Sequence, residues 1–375
     1  MKKTLFLISV ILVLYSCGKV NDEYIYDDQD AASIDWNAVA TRSTDAMIDQ
    51  FWNAEGYFNY GSAQSDMGFQ YWPNAHAMDV VIDAYQRTGD AKYKAYFGQW
   101  YEGVRSKNSN TYYNDFYDDM QWNGLTILRL YQETGEERYL ATAKELWTDI
   151  EGGWNDEYAN GGVAWHKHMP YSKNACSNGP ASLLALRLYN ETGDEQYREW
   201  AIRIYDWQKS TLYEYGTGAV YDNIDGRTQA ISTVALTYNQ GLFMATAVEL
   251  FKLTGDGVYL NDAQKIANYT ITKCIDASNN ILRNEGTGDN ALFKGIFMRY
   301  FEDLLSIPEL NDAYRQKFVS FLNNNVRILW TSGTYDATLL YGPAWNEPPI
   351  GNTQLTAQAS ACMTLEAKAR FDKTP

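Results

Sequence analysis

Residues 112–124, YYNDFYDDMQWNG, set Asp118 directly beside Asp119 among aromatic rings, with Asp115 shortly upstream. Two close carboxyls push their pKa values apart, which helps one stay protonated near neutral pH. Cleavage of a glycosidic bond needs that asymmetry. One carboxyl donates a proton to the leaving oxygen, and the other stays ionised to attack the anomeric carbon or activate water. Adjacent Cα atoms lie about 3.8 Å apart, and side chains splaying around a helix start bring a carboxyl gap of about 5 Å within reach, the spacing of a retaining mechanism. Helix capping explains one aspartate here but not two. A calcium site would need several further oxygen ligands, which the local spacing does not offer. His166 and His168, in AWHKH, lack the third ligand a metal centre requires. These residues give no reason to expect a metal.

The elements that must position this pair repeat along the chain. AYQRTGDAKY at 84 returns as LYQETGEERY at 130, LYNETGDEQY at 188 and LFKLTGDGVY at 250. In each copy a helical apolar pattern runs into Thr-Gly, with glycine (Gly89, Gly135, Gly193, Gly255) where a helix C-cap belongs. An acidic residue follows, suited to the next helix N-terminus, and apolar spacing resumes. Each copy is a helical hairpin. The pattern predicts a lone helix over 33–52, hairpins over 74–107, 119–150, 178–213, 240–277 and 290–329, and a last helix over 353–371. The fifth hairpin replaces Thr-Gly by LSIPELND, where Pro308 breaks the helix.

Six pairs closing on themselves make an all-α (α/α)6 barrel, with the first helix completing the last pair. The helices before each glycine are apolar or small on most faces, as an inner ring requires. Those after it carry charge on one side. An open solenoid shares such repeats, but no capping repeat is evident, and closure is expected. The segments entering the inner helices (FQYWPNAH, YYNDFYDDMQWNG, MPYSKNACSNGP, TVALTYNQG, NEGTGDNALFKG and PPIGNTQ) are rich in Asn, Gln, Asp, Tyr and Trp. In a closed ring the inner-helix N-termini bring all six to one mouth, which describes a carbohydrate cleft. The opposite end shows short turns and little chemistry.

The N-terminus, MKKTLFLISVILVLYSC, has two lysines and an apolar run too short to span a membrane, which predicts a signal peptide over 1–16. LYSC resembles a lipobox, so Cys17 is expected to be lipidated, with 17–32 a polar tether and 33–372 the catalytic domain. The expectation is an exported lipoprotein of a Gram-negative bacterium, held to the outer membrane facing either the surface or the periplasm. The net charge is −16 and becomes more negative once Lys2 and Lys3 are removed. No basic stripe for nucleic acid is present, and an anionic polymer would be repelled. Cys176, Cys274 and Cys362 read as small core residues rather than a disulfide framework. A monomer is expected.

Four motifs carry a resemblance: YDDMQW at 117–122, KNACSNGP at 173–180, TYNQG at 237–241 and FKGIFMRY at 293–300. Together, on this repeat, the chain resembles glycoside hydrolase family 76, bacterial endo-α-1,6-mannanases with fungal cell-wall relatives. The resemblance covers about 33–370. It implies a retaining double displacement on α-1,6-linked mannan, with Asp118 as nucleophile and Asp119 as acid/base, and no metal or organic cofactor. Gln121 departs from the small residue usual between Met and Trp.

Around the pair, Asn239 and Gln240 are candidates to bond sugar hydroxyls. Trp72, Trp122 and Tyr238 either stack on sugar faces or pack in the core. Asn174 and Asn178 either bond hydroxyls or cap a helix. Asp222 either reaches the cleft or serves a turn, and Lys294 either meets a hydroxyl or forms a structural ion pair. A transglycosylase on the same linkage passes through the same glycosyl-enzyme. A non-catalytic glycan-binding lipoprotein would use the aromatic mouth but would not need paired acids.

Overall fold

The Thr-Gly pairs end their helices by one recurring arrangement. Gly89, Gly135, Gly193 and Gly255 adopt φ of +70°, +69°, +69° and +70°, and each N–H caps the carbonyl four residues back. The preceding threonine hydroxyl bonds the helix behind it, as Thr192 Oγ1 does to Leu188 O at 2.7 Å. Asp90, Asp194 and Asp256 then cap the next helix through their side chains. These devices act within a few residues, so the repeat alone specifies them.

The computed structural model describes residues 34–373; the expected signal peptide, Cys17 and the whole of the tether lie outside the described residues. The helices are α1 (Trp36–Phe51), α2 (Tyr71–Thr88), α3 (Ala91–Lys94), α4 (Phe97–Lys107), α5 (Tyr117–Thr134), α6 (Glu137–Glu151), α7 (Ala175–Thr192), α8 (Glu195–Thr211), α9 (Thr237–Thr254), α10 (Gly257–Lys273), α11 (Phe293–Leu305), α12 (Asp312–Ser332) and α13 (Leu355–Phe371). The outer arm of the first hairpin, expected as one helix, is interrupted at Ala95–Tyr96 between α3 and α4.

Helices α2, α5, α7, α9, α11 and α13 pack in that order, and α13 returns to α2. The ring is closed, and the chain is an (α/α)6 barrel. α1 lies on α13, as the pairing of first and last helices predicts, with Thr44 Oγ1 donating to Glu366 at 2.8 Å. Neighbouring inner helices approach backbone to backbone. A Cβ on Gly295 would stand 2.4 Å from Ser360 Cα, and one on Gly241 2.8 Å from Phe297 Cα. Cys176, Cys274 and Cys362 are free and buried.

The inner ring toward its C-terminal half holds a buried ion-pair cluster that the sequence pattern did not reveal. Arg129 pairs with Asp79 at 2.7 Å and Asp83 at 2.6 Å; Arg299 pairs with the same two at 2.6 and 2.7 Å; Arg370 reaches Asp83 at 2.6 Å and Glu302 at 3.0 Å. These residues come from α2, α5, α11 and α13, so the cluster ties four inner helices where the expectation was of little chemistry.

Short antiparallel hairpins follow three outer helices: β1 (Trp52–Asn53) with β2 (Tyr57–Phe58), β4 (Tyr213–Glu214) with β5 (Ala219–Val220), and β8 (Ile275–Asp276) with β9 (Ile281–Leu282). A three-stranded sheet, β3 (Ser172–Asn174), β6 (Asn223–Asp225) and β7 (Ala230–Ser232), pairs Lys173 with Ile224 and Ile224 with Ile231. It joins the entries of α7 and α9 at the mouth. None of these strands is long enough to show a clear alternation in sequence.

Candidate active site

Most inner helices start a few residues before the sequence pattern places them: α2 at Tyr71, α5 at Tyr117, α7 at Ala175 and α9 at Thr237. The residues before them, Gln70, Phe116, Asn174 and Leu236, make no side-chain cap, so the usual N-terminal signal is absent. Loops from elsewhere around the mouth accept the first N–H groups instead. Tyr117 N donates to Trp165 O at 3.0 Å, Ala175 N to Asp222 O at 2.7 Å and Leu355 N to Tyr60 O at 2.7 Å. Thr237 N donates to the Glu285 carboxylate at 3.1 Å. Each tie fixes a loop against the start of an inner helix, and with it the side chains that loop carries.

Asp118 and Asp119 occupy the first turn of α5, both half-buried by residue. Their surroundings differ. Asp118 Oδ2 accepts the Trp165 indole N–H at 3.2 Å. Burial raises its carboxyl, while the Cys176 thiol, the Trp165 N–H and the backbone N–H groups of the turn draw it back, leaving it at about 6. Asp119 has no such donors. Burial, then the charge of Asp118, then that of Asp289 push it well above the usual carboxylate range. Near neutral pH this favours an ionised Asp118 beside a protonated Asp119.

The structure divides the other predicted residues into two groups. Trp72 and Asp222 are half-buried at the mouth. Trp72 Nε1 donates to Asp289 at 3.1 Å. Asp222 accepts from Asn223 at 2.8 Å and Asn239 at 3.1 Å, and burial raises its carboxyl. Asn239 is fully buried, and its Oδ1 has no protein partner. Asn174 is half-buried and accepts from Ser172 Oγ at 2.9 Å.

The second group is buried. Gln240, expected at sugar hydroxyls, is fully buried; its amide accepts from Val220 N at 3.0 Å and donates to Val220 O at 2.6 Å, clamping β5 to α9. Asn178 is likewise fully buried, bonding Val163 N at 2.7 Å and Val163 O at 3.0 Å. Lys294 is 1% exposed, gives its ammonium to Pro343 O at 2.8 Å and lies 4.2 Å from the Trp345 ring. Burial lowers it to about 7, against the charge of Glu285. It forms no ion pair within bonding distance; its ammonium is taken up by the Pro343 carbonyl and the Trp345 ring. Trp122 packs its ring 4.6 Å from that of His76. Tyr238 stacks on Phe293 at 3.9 Å and 6°. Both rings are buried against protein partners. His166 Nδ1 accepts from His168 N at 3.0 Å, and its ring lies edge-on to Phe116.

Four residues around the pair were not read as site residues from sequence: Trp165, Cys176, Glu285 and Asp289. Cys176 stands inside KNACSNGP, and Glu285 and Asp289 inside NEGTGDNALFKG, so two of the quoted mouth segments held them. Trp165 sits in the AWHKH stretch, where the histidines drew attention instead.

Adjacent carboxyls of unequal character at the mouth of an (α/α)6 barrel define the glycoside-cleaving class within this fold. The sequence profile of Glycosyl hydrolase family 76 matches residues 35–374, and the chain belongs to that family. It is similar to the GH76A alpha-1,6-mannanase of Salegentibacter sp. HEL1_6, at 40% identity and a TM-score of 0.86 over 90% of this chain and 100% of that one. An inactive variant of that enzyme, with two consecutive aspartates changed to alanine, has been solved in complex with alpha-1,6-mannotetrose; it superposes with a TM-score of 0.87 at 39% identity, over the same shares of the two chains. The mannan endo-1,6-alpha-mannosidase DCW1 of Candida glabrata is 27% identical over 229 residues, 56% of this chain and 50% of that relative. The chain spans about half the length of the curated relatives it matches.

Proposed function

We propose that this chain is an endo-acting α-1,6-mannanase that cuts the backbone of fungal mannan by a retaining double displacement. Asp118 is the nucleophile and Asp119 the acid/base. The observation that carries the assignment is the unequal setting of the pair: hydrogen-bond donors serve Asp118, while Asp119 meets burial and negative charge. The full-length likeness to the Salegentibacter enzyme, and the loss of activity in its double-aspartate variant, support carrying that chemistry to this chain.

In the first step the Asp118 carboxylate attacks the anomeric carbon. The bond to the leaving oxygen breaks as that oxygen takes the Asp119 proton. The partial positive charge at the start of α5 and the Trp165 N–H hold Asp118 ionised until it reacts. In the second step Asp119, now a base, takes a proton from water, which attacks the glycosyl ester and frees Asp118. Asp222, oriented by Asn223 and Asn239 and sharing the neighbours Cys176 and Tyr238 with Asp118, bonds hydroxyls of the sugar that Asp118 attacks. The lysine-led apolar start and LYSC support an exported lipoprotein anchored to the outer membrane through Cys17.

The test is incubation with unbranched α-1,6-mannan, with Asp118→Asn and Asp119→Asn as controls. A ladder of short mannooligosaccharides, lost in both variants, is expected. Tight binding without new reducing ends would make the protein a glycan-binding module. Incorporation of labelled palmitate, lost in Cys17→Ala, tests the anchor.

A further inference from the structure

Between the loop entering α11 and the loop entering α13 lies a cavity of about 340 Å³. Pro343, Pro349 and Ile350 give it apolar faces, and Thr287 and Gln354 polar ones. Sugar rings present the same mixture, C–H faces rimmed by hydroxyls, and such pockets combine an apolar lining with a few polar groups.

The cavity is joined to the catalytic pair through a chain of contacts. Gly288 N–H donates to Gln354 Oε1 at 2.8 Å, fixing the turn before α11 against the start of α13. The next residue, Asp289, accepts from Trp72. The Trp72 ring lies 6.4 Å from that of Trp122, one turn of α5 beyond Asp118. Asp289 also acts electrostatically on both Asp119 and Tyr60.

The two aspartates face different parts of this strip. The neighbours of Asp118 are Trp165, Cys176 and Tyr238, toward α7 and α9. Those of Asp119 are Tyr71 and Asp289, toward α2 and α11. An acid gives its proton to the leaving oxygen, so the leaving part of the chain departs on the side of Asp119. We infer that the cavity is a leaving-group subsite, taking a mannosyl unit on the reducing-end side of the cleaved bond, beyond the one that bears the leaving oxygen. The inference rests on the mannanase reading and adds a polarity to its cleft.

Thr287→Trp fills the cavity, and Ile350→Ser removes an apolar wall. Both positions are exposed, Ile350 at 96%, so neither change disturbs packing. The substrate is α-1,6-mannohexaose carrying ¹⁸O at its reducing end, and products are read by mass spectrometry. Thr287→Trp is expected to shorten the labelled fragment and to lower the ratio of kcat/KM on hexaose to that on triose about tenfold, with a smaller change in Ile350→Ser. An unchanged fragment pattern and ratio would overturn the subsite. A longer labelled fragment would place the cavity on the other side of the cut and overturn the polarity. A loss confined to branched mannan would make it a branch pocket instead. Failure of the unaltered protein to cut the hexaose at all would sink the mannanase reading itself.

Discussion

Asp118 and Asp119 differ by one peptide unit, yet one is served by donors and the other by a second carboxylate. The rate should therefore be bell-shaped in pH. The acid limb, near pH 6, reports loss of the ionised Asp118, and the alkaline limb reports loss of the Asp119 proton. Asp289→Asn removes a negative charge that raises Asp119, so its alkaline limb should move to lower pH while the acid limb stays; a pH profile of kcat/KM checks this. Asp119→Asn should cost about 10²–10⁴-fold in activity on mannan, and Asp118→Asn should leave no measurable turnover. The same shifts bear on stability. A carboxyl raised in the folded state favours folding less as pH climbs above its unfolded value. Asp119→Asn should thus melt higher than the unaltered protein at pH 7–8, with the gap closing toward pH 4, as thermal scans at both pH values would show.

Among the elements, the starts of the inner helices do two jobs, and sequence reading separated them poorly. Gln240 and Asn178 read as cleft amides because they are polar, near a helix start and beside catalytic-looking motifs. Their partners, Val220 in β5 and Val163 in the segment before α7, lie elsewhere in the chain and leave no local trace. Replacing either amide by alanine leaves buried backbone groups without a partner. Each change should cost about 1–3 kcal/mol of stability, measured by urea unfolding, with turnover on mannan retained well below the melting temperature. Asp289 was invisible for a related reason: its partner Trp72 is 217 residues away. The Asp118–Asp119 pair was legible because adjacency itself is the signal. The Thr-Gly turns were legible because every partner of the cap lies within a few residues.

For the whole molecule, hairpin count and closure were readable from the repeat, whereas the charged cluster inside the ring was not. Asp79, Asp83, Arg129 and Arg299 fall on apolar helices where single charges look incidental, and only closure brings them together. Burial alone would raise the Asp83 carboxyl; the guanidiniums of Arg299, Arg370 and Arg129 more than offset that and hold it far below the usual range. Its stabilising effect is therefore present above the unfolded pKa of an aspartate and lost as pH falls through the depressed folded value. Asp83→Asn takes one of its carboxylate partners from each of three buried arginines and should cost about 3–5 kcal/mol, seen as a lower urea midpoint at pH 7, with the difference from the unaltered protein shrinking in acid. The ring in turn holds six helix starts at one mouth, with the two aspartates on one of them.

The central claim is that Asp118 attacks the anomeric carbon with Asp119 as its acid. It is tested most directly by following the first product formed from α-1,6-mannohexaose with ¹H NMR, before mutarotation. The α anomer appearing first, from an internal cut, is the predicted result. The β anomer appearing first would mean that water attacks directly, and the double displacement through Asp118 would have to be abandoned.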